Sequence, residues 1–128
     1  MFVKRLKPTS SSVLLASLVS RSAKEITVND FEKQFFAALE DRLRAEGLSV
    51  ECFTAERMGN GGIRLNCSAG IIGTVHLRKR FGSIQYFISP LDIHDMDDAP
   101  VEAILAVVPY WVEYAKRCLS LRKAATNV

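Results

Sequence analysis

Asp92, His94, Asp95, Asp97 and Asp98 crowd four carboxylates and an imidazole into seven residues. Oxygen and nitrogen donors at that density could ligate a divalent cation. The spacing lacks the central glycine and closing glutamate of a calcium-binding helix–loop–helix, however, and the run ends at Ala99-Pro100, where a helix can begin. Acids just before a helix are favoured by its dipole. The sequence therefore favours a solvated, acidic loop with Asp98 as helix cap, and assigns no metal. Catalysis finds less support. Cys67 and His76 fall on neighbouring strands but face opposite ways, so a thiol–imidazole pair is not expected. Three scattered cysteines (Cys52, Cys67, Cys118) with no CxxC pair read as small packed thiols. No GxSxG or HExxH pattern is present, and the sequence leaves the question of an enzyme open.

The second cluster is basic. Arg78, Lys79 and Arg80 precede Phe81, and cations beside an aromatic ring can grip phosphates and stack a base. Lys79, Phe81, Gly82, Ile84 and Tyr86 partly resemble the first ribonucleoprotein motif of RNA-recognition domains, which would imply binding to RNA or single-stranded DNA. Arg80 stands where that motif has glycine, and Ser83 where it has a stacking aromatic. The order of elements differs too. A charged hairpin tip is preferred, and nucleic acid is disfavoured as a partner.

These residues hang on a run of strands. Ile63–Ser68 and Ile71–Arg78 alternate apolar and polar residues, and Ile84–Ser89 follows. Leu48–Ala55 reads as an opening strand with Val50 and Cys52 inward, closed by the Gly59-Asn60-Gly61-Gly62 turn. Alternation places Phe53, Ile72 and Phe87 together on the outer sheet face. Large apolar groups on an open face point to an interface. A long helix begins near Thr27–Glu32, buries Phe31, Phe35, Leu39 and Leu43, and stops at Gly47. A second, from Pro100, buries Val101, Ile104, Leu105, Val108 and Val112; Pro109 should kink it near Ala106–Pro109. Tyr86, Tyr110 and Trp111 could line a ligand pocket between sheet and kinked helix.

At 128 residues the chain can bury a core without staples. Its net charge of +3 is uneven: residues 1–25 carry +4 and the remainder sums to −1. A globally basic surface is thus not implied. The apolar run Val13–Val19 is too short to span a bilayer. The basic, Ser-rich start could be a mitochondrial transit peptide. A short helix capped near Ser10–Ser12 is preferred, packing Leu14, Leu15, Leu18 and Val19 against a neighbour. The expected architecture is α+β: a basic arm over residues 1–25, then one domain over 26–128. That domain holds a four-stranded antiparallel meander between a long helix and a kinked C-terminal helix. The function expected is a small non-enzymatic interaction module, self-associating as a homodimer or joined by another protein, in the cytoplasm or, with a transit peptide, the mitochondrial matrix. The rivals are an enzyme or small-ligand binder using the aromatic pocket, and a nucleic-acid binder using the basic tip. No cofactor is expected.

Overall fold

The computed structural model describes residues 13–16, 18–20 and 27–126. In chain order it holds α1 (Val13–Ala16), β1 (Val19–Ser20), α2 (Asp30–Ala45), β2 (Phe53–Arg57), β3 (Ile63–Cys67), β4 (Gly70–His76), β5 (Phe81–Ser89), β6 (Asp92–Pro100), α3 (Val101–Leu105) and α4 (Val108–Thr126). Strands β2 to β6 form an antiparallel meander in sequence order, and the two residues of β1 add in parallel beside β2. The chain is α+β as expected, but the meander has five strands rather than four. The extra strand is β6, the acidic stretch that sequence reading makes a loop.

Helix α2 starts and stops on local chemistry. The Asn29 side chain accepts from the Glu32 backbone N–H at 2.8 Å, and Glu32 accepts from the Asn29 N–H at 3.0 Å. This reciprocal box satisfies donors the first turn cannot use. At the other end Gly47 takes φ +78°, and the amides of Leu48 and Gly47 bond to the carbonyls of Leu43 and Arg44. Glycine enters that left-handed conformation without the cost a Cβ imposes. The C-terminal helix breaks at Ala106–Val107, two residues before Pro109. Pro109 thereby occupies the first turn of α4, where its missing N–H has no helical partner to lose.

Both long helices cover one face of the sheet. Phe35 of α2 meets Trp111 of α4 edge-on at 5.2 Å, above a core of Ala55, Ile63, Leu65, Val75 and Ile84. Gly73 lies beneath the indole, and a Cβ there would sit 2.6 Å from Trp111 Cε2. Lys116 ties α4 to the end of α2 through Glu46 at 2.9 Å; that bond holds the Glu46 carboxyl below its ordinary value and raises Lys116. The arm joins the same layer. Glu40, buried on α2, accepts from the backbone N–H groups of Val13 and Leu14 and from Arg44. Leu14 is buried and Leu15 and Leu18 are partly so; the cap expected at Ser10–Ser12 lies outside the described residues.

Two irregularities reassign the sheet faces. Asn66 pairs with Ile71 while Leu65 pairs with Gly73, so β4 carries an extra residue at Ile72. A bulge adds one residue to one strand and breaks strict alternation. Ile72 is consequently 1 % exposed and part of the core, whereas Ile71 stands 46 % exposed. Ahead of β2, Val50–Cys52 form a 3₁₀ turn rather than strand, so Phe53 enters the sheet in the inward phase and is 5 % exposed. Phe87 stacks on Tyr114 of α4 at 5.1 Å. The three residues expected to share the outer face thus pack on the helical side.

Candidate functional site

The face turned away from the helices carries polar side chains over β4 to β6. Thr74 pairs with Gln85, His76 with Ser83, and Gln85 with Asp95. With Asn60, Gly62 and Asp97 these residues line a recess of about 240 Å³. The β2–β3 turn forms one wall. Met58 and Gly62 close it at 2.8 Å, and the Asn60 side chain accepts from the Gly62 amide at 2.9 Å. The Asn60 carbonyl lies 2.9 Å from His76 Nε2. A carbonyl can only accept, so Nε2 carries the hydrogen, and Nδ1 is the ring's acceptor when the imidazole is neutral.

Charge in the recess is one-sided. Asp95 and Asp97 make no ion pair among the described residues, and neither does Asp98; Asp92 meets His94 at 3.1 Å. Buried acids elsewhere are all engaged: Glu32 with Arg57 and Arg78, Glu40 with Arg44, Glu56 with Arg64. Among the described residues no three His, Cys, Asp or Glu side chains converge as a metal centre would require. β6 runs extended, which spreads its side chains over two faces instead of wrapping them around an ion. Nor does Asp98 cap the next helix. It adopts φ 51° at a second register shift, and Pro100 holds the cap position of α3.

The aromatic pocket expected between sheet and helix is divided. Tyr86 lies against Tyr110 at 5.3 Å and stacks on His94 at 5.4 Å, with Tyr110 half exposed. Trp111 is fully buried, and its Nε1 donates to the Gln85 carbonyl at 3.1 Å. It is a core residue. Its bond spends the one polar group that could have oriented a ligand.

The basic tip is also divided. Arg78 donates to Glu32 at 2.9 Å and to the Thr27 carbonyl at 2.8 Å, which turns it toward the body of the protein. Lys79 and Arg80 stay exposed, as does Phe81 at the start of β5. The buried Glu32 between two arginines carries no signal in the sequence: the strand read over Leu48–Ala55 with Val50 and Cys52 inward leaves Arg57 outside it, and the 3₁₀ turn at Val50–Cys52 brings Arg57 into the inward phase. At the far end of the sheet the thiols lie near Tyr114. Burial pushes the Cys67 thiol up, with its backbone hydrogen bonds acting against this. Burial together with a hydrogen bond to Cys118 pushes the Tyr114 phenol up to about 12.

Among the described helices none is long and apolar enough to cross a membrane. No family model, no curated protein and no solved structure matches this chain.

Proposed function

We propose that the chain is a non-enzymatic interaction module that receives a partner on the side of the sheet the helices leave open. The observation that supports this reading is the recess itself. Two carboxylates, Asp95 and Asp97, line it without an ion pair among the described residues, beside the hydrogen-bonding groups of Thr74, Gln85 and Ser83. A small-molecule pocket is usually larger, roughly 300–1,000 Å³, and mostly apolar. This one is smaller, open and polar, which suits side chains of a macromolecule more than an enclosed substrate. The rival pocket at Tyr86 and Tyr110 loses its third wall, because Trp111 is committed to the core.

The test is a titration of isotope-labelled protein with short basic, acidic and neutral peptides, followed by backbone amide shifts. Shifts at Thr74, His76, Gln85 and Asp95 are expected. Shifts confined to Tyr86, His94 and Tyr110 would instead favour a ligand on the helical side. Sedimentation on the same samples separates a self-associating chain from one that takes a different partner.

A further inference from the structure

We infer that the partner is a basic, extended polypeptide segment that joins the sheet as an additional strand along the outer rim of β6. The inference rests on the interaction reading above and names its partner.

Strand β6 is the last in the sheet order, runs nine residues and, among the described strands, bonds to β5 alone. No other described strand pairs with its far side, so a row of backbone N–H and C=O groups there is free to template another strand. Folded proteins guard such edges with charge, and β6 is guarded, but by one sign. Asp92, Asp95, Asp97 and Asp98 face solvent, and the strand's one imidazole, His94, is already beside Asp92. A guard of one sign is selective. A second copy of β6 laid antiparallel would set carboxylate against carboxylate, which is destabilising across a strand pair. A neutral strand would desolvate those carboxylates with nothing in return. A strand with Lys or Arg at alternate positions turns the same charges into contacts, because Asp95 and Asp97 are two residues apart and line one recess. Leu91 and Ile93, exposed at the turn end of the strand, offer apolar contact to the segment's remaining residues.

The probes are three synthetic peptides matching β6 in length. One alternates Lys and Val, one alternates Glu and Val, and one is the Lys–Val peptide N-methylated on every second backbone amide. The Lys–Val peptide should slow hydrogen exchange along β6, shift Gln85 and Asp95, and bind more weakly as salt rises. The double variant Asp95→Asn, Asp97→Asn, whose substitutions are solvent-exposed, should bind it roughly tenfold more weakly. The Glu–Val peptide should not bind, and N-methylation should abolish the exchange protection. Equal binding by the N-methylated peptide would overturn strand addition while leaving a cation-accepting recess, so the interaction reading would survive. Absence of any shift on the open face with all three peptides would defeat both. A dimer whose exchange protection maps to β6 without peptide would make a second copy the occupant and overturn the inference.

Discussion

Arg57 and Glu32 meet as a two-point pair, Nη1 to Oε2 at 2.6 Å and Nη2 to Oε1 at 3.2 Å, with each side chain only 1 % exposed. The guanidinium also donates to the Gly61 carbonyl at 2.8 Å, while its Nε has no partner among the described residues. A charge this deep is tolerated only because it is matched. Glu32→Ala should therefore cost about 3–5 kcal/mol, by leaving Arg57 buried and unpaired. Replacing both, Arg57→Met with Glu32→Leu, should restore most of that stability. Urea midpoints of the three proteins check it; a double variant no better than the single one would refute the account.

The bulge in β4 separates two adjacent isoleucines. Ile72→Asp should place a carboxylate in the core and unfold the chain or cost several kcal/mol. Ile71→Asp, one residue earlier and exposed, should stay within about 0.5 kcal/mol of the parent. Thermal melting of the pair gives the answer. Equal losses would mean the strand is regular after all.

Gly73→Ala tests the contact between sheet and α4. The added methyl would come within 2.6 Å of the indole and of the Gln85 carbonyl, so the helix or strand must shift. Overpacking of this kind costs about 1–3 kcal/mol. Gly59→Ala, with nothing within 4 Å, is the control and should be close to neutral.

Tyr114 should ionise late, well above the ordinary phenol range. Burial raises it from 10.0 to about 12 in the folded protein. A raised phenol favours the neutral form, so its contribution to stability is complete below pH 10 and is lost as pH rises from 10 to 12. A phenolate absorbance titration should show a late step that vanishes in Tyr114→Phe. A late step that persists would assign the shift to another residue.

Much of this fold is legible in the residues. The Asn29–Glu32 box, Gly47 and the Pro109 break are local signals, each carried by a few side chains acting on nearby backbone. The runs at Ile63 and Val75 alternate because one face is dry. What misleads is phase. Alternation presumes a regular ladder, and nothing in composition marks the extra residue at Ile72 or the 3₁₀ turn that brings Phe53 inward. Strand β6 is hidden for a different reason. An edge strand wet on both faces has no apolar alternation to show, and aspartate is depleted in strands. The recess depends on that strand, so its floor of Thr74, His76 and Gln85 can be read as outward-facing while its acidic wall cannot.

Trp111 is the chain's single tryptophan, and its indole bonds to the backbone of Gln85. Gln85 belongs to both sides of the sheet: its carbonyl holds the indole, and it lines the recess opposite. The protein thus carries a native fluorophore joined to the floor of its open face through one peptide unit. Its emission colour gauges, without any label, whether the helical layer is seated on the sheet.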